Sequence, residues 1–273
     1  MNHKIQRFAK LAATVCSGLL LLAAQPSGAR PLDAILSSGE IRVGVNPEYP
    51  PTSKYDDKNE LVGFDVDVSN RLASMLGVKA VFVIVNASSR VPFVTSGKID
   101  YVMGGMTRTT ERAKLIDFTL PINTESMGVV TLASKPFNSP SDLNKAGVTI
   151  AEVRGTTGAK LAAAKFPEAK LLELDNHPDV LRAVAQGRAD AVVEDLSYLG
   201  QIMTTVKAPW RTLKEPVGDV YYDSLGVAKA DTTLRNWLNV AIFELNHTGV
   251  TAEIWRKWYG VDMLVPVPVN PAF

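Results

Sequence analysis

The chain is poor in the residues that support several kinds of chemistry. It has one cysteine, Cys16, in 273 residues. A lone cysteine forms no internal disulfide, and its place in the amino-terminal segment removes thiol catalysis from the rest of the chain. There are three histidines, His3, His177 and His247. They are too few and too scattered to present a metal-ligand spacing, so no metal and no cofactor is expected. Neither sign of charge dominates, with 29 basic against 28 acidic residues. A near-neutral surface argues against nucleic acid or an anionic membrane as partner. Long apolar runs are absent after the first two dozen residues. No Ser/His/Asp or Cys/His constellation is available for nucleophilic catalysis.

The amino terminus reads as a removable export signal, residues 1–29. Lys4, Arg7 and Lys10 form a basic start, Leu11–Ala24 an apolar stretch too short for a confident membrane span, and Ser27-Gly28-Ala29 a run of small residues for cleavage. Thr14-Val15 before Cys16 is a poor lipoprotein acceptor. Removing three basic residues leaves 26 against 28 acidic, a net charge of −2, on residues 30–273. That length holds two modest domains or one large one.

The most informative segment is Met103–Phe118, MGGMTRTTERAKLIDF. Lys98–Met103 ends a β-prone run, Gly104 and Gly105 bring bare backbone to the strand tip, and Thr109 or Thr110 caps a new helix. A small carboxylate at such a helix start meets free amide donors, the Thr107 hydroxyl and, with the turn facing inward, the forked guanidinium of Arg112. The competing reading makes Thr109 a plain cap and Arg112 a solvated residue paired with Glu111 or Asp117.

Two internal echoes organise the rest. Gly97-Lys-Ile-Asp100-Tyr-Val-Met-Gly104-Gly105 recurs as Gly187-Arg-Ala-Asp190-Ala-Val-Val-Glu194-Asp195, each reading helix end, turn, buried strand and strand tip. Ile41–Val45 with the loop Asn46–Pro51 is matched by Val148–Val153 with Arg154-Gly155-Thr156-Thr157-Gly158. Strands alternating with helices predict α/β lobes with largely parallel sheets, whose ligands bind beyond the carboxyl ends of the strands. Four loops then face one another. Arg112 supplies a positive charge on one jaw and Asp195 a negative one on the other, while Gly155–Gly158 adds donors before a helix over 159–166. Glu194, one strand position away, is expected to point away from Asp195. Asp195 also reads as a helix cap before Leu196, and Tyr49 as a buried aromatic in a proline-bracketed loop.

Elsewhere, Asp65 is expected to cap a helix running to Leu76. A helical stretch over Leu234–Tyr259 breaks near His247-Thr-Gly249, its Trp237, Trp255 and Trp258 packing in or at the core. The tail from Val265 is expected to be extended.

Taken together, Ile41-Arg-Val-Gly-Val-Asn-Pro-Glu-Tyr-Pro-Pro, Leu61-Val-Gly-Phe-Asp-Val-Asp-Val, Ser96-Gly-Lys-Ile-Asp100, Met106–Pro121, Gly155-Thr-Thr and Gly187–Asp195 resemble the periplasmic solute-binding proteins for polar amino acids in ABC importers, solute-binding protein family 3. The resemblance implies a two-lobed type II periplasmic-binding-protein fold. Residues 30–123 and 224–273 form lobe 1, 124–223 form lobe 2, and two hinge strands join them. It implies that Arg112 binds a ligand α-carboxylate with help from Thr107 and Thr157, that Asp195 binds the α-ammonium, and that Tyr49 covers the ligand. Gly104, Gly105, Thr156, Asn46, Ala87, Arg90 and Val153 complete the implied site. Asn46 replaces the acid often used for cationic ligands, Gly105 matches glutamine-type binders, and Arg90 stands where binders of acidic amino acids contact the side-chain carboxylate. Partners by the same resemblance are an amino acid and an inner-membrane permease, with the protein a periplasmic monomer.

Two other functions stay open. Cyclohexadienyl dehydratases share the Leu32-Asp-Ala-Ile-Leu-Ser-Ser-Gly39 opening, but Tyr198 stands where they carry a glutamate general acid. A receptor that signals to a separate kinase chain is the other.

Overall fold

A computed structural model describes residues 30–203, 206–229 and 232–270. The expected export signal and Cys16 lie outside them. The first half contains helix α1 (Leu32–Ser38), strands β1 (Glu40–Val45), β2 (Lys54–Tyr55) and β3 (Leu61–Val62), helix α2 (Phe64–Leu76), β4 (Lys79–Ile84), α3 (Arg90–Thr95), β5 (Tyr101–Val102), α4 (Thr110–Ala113) and the long β6 (Ile116–Leu132). There follow β7 (Thr149–Val153), α5 (Thr157–Lys165), β8 (Lys170–Leu174), α6 (His177–Ala185), β9 (Ala191–Asp195), α7 (Leu196–Ile202), β10 (Trp210–Thr212), β11 (Val220–Ala228), α8 (Thr232–His247) and α9 (Val250–Tyr259).

The strands lie in the order β4-β1-β5-β11-β6-β9-β7-β8, with β10 also on β6. β1 is parallel to β4 and β5, and β7 is parallel to β8 and β9. These are two similar α/β units, and the antiparallel pair β6–β11 runs between them. The expected lobe boundaries fall inside that pair, where Asn123 is opposite Asp223. Each unit has its own apolar core. Ile41, Val43, Phe64, Leu72, Leu238 and Trp255 belong to one, and Val129, Ile150, Leu161 and Val193 to another. Trp255 is buried against Phe64 and Tyr259, and Trp237 and Trp258 pack at the edge of that core. Such burial contributes about 1.5–3 kcal/mol per large side chain.

The first echo is physical. Gly97 and Gly187 end their helices with φ of 68° and 73°, a conformation glycine adopts without strain. The aspartate that follows then clips back onto the first strand of its own unit. The Asp100 amide donates to the Arg42 carbonyl at 2.8 Å, and the Arg42 amide donates to Asp100 Oδ2 at 2.6 Å. Asp190 repeats this with Thr149, at 2.7 Å in both directions. A short polar side chain after a tight turn thus fixes where each strand enters its sheet.

Asp65 corrects one expectation. It lies inside the first turn of α2 rather than at its cap, and its Oδ2 accepts the Gly104 amide at 2.7 Å. The residue before the helix is Gly63, with φ of 144°. A Cβ there would fall 2.3 Å from the Thr52 carbonyl oxygen, so no side chain fits.

Burial alone would raise the Asp100 carboxyl. Bonds from Arg30 and Arg42 hold it below its ordinary value. A depressed folded value means that the contribution is complete above about pH 4 and fades as pH falls through the folded value. Asp100→Asn should therefore cost about 1.5–3 kcal/mol at neutral pH. Thermal melts should also show less loss of stability below pH 4 than the parent chain shows.

Candidate functional site

The carboxyl ends of β1, β5, β7 and β9 point at one another across β6 and β11. Between them lies a narrow cleft. Nine of the residues expected at the site line it: Asn46, Tyr49, Ala87, Arg90, Gly104, Gly105, Thr107, Thr156 and Thr157. Glu125, Met127, His177 and Glu194 line it as well and were not expected. Arg112, Asp195 and Val153 are buried beside it without forming its wall.

Arg112 is not a solvated surface residue. Thr109 does cap α4, accepting the Arg112 amide at 3.2 Å, and this fixes the first turn so that the side chain folds inward. Its Nη1 donates to the Thr107 carbonyl at 2.8 Å, and its Nη2 crosses to the Gly155 carbonyl at 3.1 Å. The guanidinium therefore bridges the two units. Burial, and then the nearby Arg90, lower its pKa to about 10, which still leaves it cationic near neutrality.

Thr107 and Thr157 complete a second bridge. The Thr157 hydroxyl donates to Thr107 Oγ1 at 2.9 Å, and Thr107 donates its own proton to Glu125 Oε2 at 3.0 Å. A hydroxyl has one proton, so the Thr107 donor is committed to Glu125 in this arrangement. The hydroxyl of Thr156 is committed too. It accepts the Ala159 amide and donates to the Val153 carbonyl, capping a helix that begins at Thr157 rather than at 159. What this loop offers an anion is backbone amides in the first turn of α5.

Arg90 is buried, and three of its donor contacts go to loop carbonyls. Nη1 reaches Gly104 at 2.5 Å and Gly105 at 2.7 Å, and Nε reaches Ala87 at 3.3 Å. It braces the double-glycine turn from one side while Asp65 holds it from the other. Burial raises the Asp65 carboxyl to about 8, partly offset by the Gly104 amide.

On the opposite wall the β9 alternation holds but its outcome differs from the expectation. Glu194 lines the cleft, and Asp195 lies beside it with its carboxyl capping the start of α7. Asp195 Oδ1 accepts the Tyr198 amide at 2.9 Å, and Oδ2 accepts the Ser126 amide from β6 at 3.0 Å. Burial pushes its carboxyl up to about 7 against those two bonds. The capping reading of Asp195 is correct, and each oxygen keeps a further lone pair for a ligand. Glu194 Oε2 lies 3.2 Å from His177 Nε2, and Oε1 accepts the Tyr49 hydroxyl at 3.4 Å. Tyr49 thus leaves its own unit. Its ring stacks on Tyr198 at 4.1 Å and meets His177 at 4.6 Å.

Periodicity reveals neither Glu125 nor His177. Glu125 lies in the middle of a strand whose pattern reads as structural, and His177 opens α6 behind the cap Asn176. The one signal for Glu125 was an ionisable residue in a run otherwise buried or half-buried. Among the described residues no group of three or more metal-ligating side chains is gathered, and no helix is long and apolar enough to cross a membrane.

Residues 41–261 match the model of the bacterial extracellular solute-binding proteins, family 3. A glutamine-binding protein of an ABC transporter from Bacillus subtilis is 29% identical over 85% of this chain and 85% of its own length. The crystal structure of an ancestral amino-acid-binding protein, described as a precursor of cyclohexadienyl dehydratase, superposes with a TM-score of 0.78. It is 31% identical over 84% of this chain and 99% of that one. A cyclohexadienyl dehydratase from Pseudomonas aeruginosa is 29% identical over 67% of this chain and 69% of its own length.

Gly105 gives a test of the cleft wall. Its φ is 62°, and an added Cβ would lie 3.2 Å from both Glu125 Oε1 and Tyr49 Cε1. Gly105→Ala should cost about 1–2 kcal/mol in a thermal or urea melt from the left-handed backbone alone. It should also narrow the cleft, raising the Kd of any ligand seated there; an unchanged melt and Kd would show the turn to be slack.

Proposed function

The chain belongs to the bacterial extracellular solute-binding proteins of family 3, and from that membership we propose that it captures a polar α-amino acid between its two lobes and delivers it to an ABC importer. The observation that carries this reading is the buried guanidinium of Arg112, held by carbonyls of both units beside a cleft lined by Glu125 and Glu194. The ligand carboxylate meets Arg112 and the first-turn amides of α5, and the ammonium meets Asp195. Ala87, Arg90 and Gly105 shape the side-chain pocket, with Asn46 and Tyr49 at its mouth and Val153 behind it. The lobes are 30–123 with 224–273, and 124–223. They close by rotation about β6 and β11, and a permease in the inner membrane reads the closed form. The working protein is a periplasmic monomer freed of residues 1–29.

Likeness to cyclohexadienyl dehydratase supports a second reading, catalysis on the same fold. Tyr198 argues against it. Its hydroxyl is buried without a partner, is not part of the cleft wall, and is held well above its ordinary pKa by burial and then by Glu194. Such a group is a poor proton donor near neutrality.

Calorimetric titration of residues 30–273 with the twenty common L-amino acids should find at least one that binds, and binding by none would refute the reading. Arg112→Ala should weaken that binding by roughly 10- to 100-fold, the loss of one or more charge-assisted bonds of about 1.5–3 kcal/mol. An affinity in that variant equal to the parent's would remove Arg112 from the site. Prephenate incubated with the protein should yield no phenylpyruvate, whereas rapid turnover would favour the enzyme.

A further inference from the structure

Three carboxyl groups lie in a row across three neighbouring strands. Asp195 of β9 is opposite Met127 of β6, and Asp223 of β11 is opposite Asn123 of β6. Glu125 stands two residues from each partner, so it is the diagonal neighbour of both acids on one face of the sheet. All three are buried, with exposures of 3%, 5% and 2% for Asp195, Glu125 and Asp223. Their surroundings differ. Asp195 has two backbone amides, and Asp223 Oδ2 accepts the Asn123 amide group at 2.9 Å. Asp223 Oδ1 is buried with no partner. Glu125 has one hydroxyl on Oε2, while its Oε1 reaches the cleft over Gly105.

A buried acceptor without a donor is costly, and two neighbouring carboxylates cannot both be charged cheaply. One proton held between Glu125 and Asp223 removes both costs. Burial, and then Asp223, hold the Glu125 carboxyl well above the usual carboxylate range, in keeping with that proton. The other charged groups facing the row are Arg90 of α3, Arg112 of α4, Glu194 of β9 and Asp65 of α2. The phenols of Tyr49, Tyr221 and Tyr259 complete the titratable surroundings.

We propose that Glu125, backed by Asp223, is a second acceptor for the ligand's ammonium group beside Asp195, and that ligand binding releases the proton the pair shares. The proposal rests on the amino-acid-binding reading. An ammonium has three N–H donors and is satisfied by two carboxylates together with a carbonyl of the Gly104–Gly105 turn. The exchange is balanced. A cation enters, the proton leaves to solvent, and the charge in the hinge is unchanged. The sign follows directly. Ligand favours the deprotonated pair, so affinity rises with pH through the titration range of the free pair, by up to about tenfold per pH unit, and then levels off.

The test is calorimetry of the amino acid that binds tightest among the common twenty, L-glutamine being tried first, in phosphate and in Tris buffer between pH 5 and 8. The expected result is a buffer-dependent enthalpy equivalent to release of up to about one proton. The deaminated analogue of the same ligand should release none. In Glu125→Gln the release should disappear and affinity should fall by roughly 10- to 100-fold. The carboxyl 13C shift of Glu125 in the unaltered protein, followed with and without ligand, gives a reading that does not depend on the variant folding. It should move from the protonated to the ionised value. Buffer-independent binding, or a Glu125 shift that ligand leaves unchanged, overturns the proposal and leaves the amino-acid reading intact. Failure of every amino acid to bind overturns both.

Discussion

The antiparallel pairing of β6 with β11 is the constraint on which the rest of the molecule depends. Residues 116–126 and 220–228 pair antiparallel through the space between two α/β units, in a register that shifts between Asp223 and Gly226. That register sets which strand ends face each other and which side chains fall in the crossing. β6 pairs with β11 and with β9, so it joins the two units directly. The bulges between Asp223 and Gly226 lie at this crossing, where a ladder bends most readily.

Charge is buried at the crossing, and the way it is compensated gives the site its character. Arg112 and Arg90 are held by backbone carbonyls rather than by carboxylates. Their positive charge is therefore oriented without being neutralised, and it remains available to an anion. The acids are treated in the opposite way. Asp195 and Asp65 are held by backbone amides, and Glu125 by a hydroxyl. A zwitterion laid across this cleft meets an oriented field at both ends, and little reorganisation is needed once the lobes have closed.

Much of the frame was legible in the sequence. The recurrence of Gly97–Asp100 as Gly187–Asp190 is a real structural repeat, because a left-handed glycine and an aspartate clip perform the same task in each unit. The break at His247-Thr-Gly249 also follows from local chemistry, whereas the choice of Thr109 over Thr110 as cap and the inward rather than surface placement of Arg112 emerge only in the structure. The parts that were not legible depend on contacts between distant segments. Asp65 reads as a cap by its position, but it is drawn to Gly104, 39 residues away. Glu194 and Asp195 sit on successive positions of a strand buried on both faces, so alternation says they diverge without saying which meets the cleft. Glu125 and His177 become site residues only through the register of β6 and the approach of α6, which no local periodicity encodes.

The central claim is that Arg112 takes the carboxylate of an α-amino acid and the acids across the cleft take its ammonium. A crystal structure of residues 30–273 with its amino acid bound tests this most directly. The account predicts the carboxylate within hydrogen-bond distance of the Arg112 guanidinium and the first-turn amides of α5, with the ammonium between Asp195 and Glu125. A ligand seated the other way round, or bound outside the cleft, would contradict it.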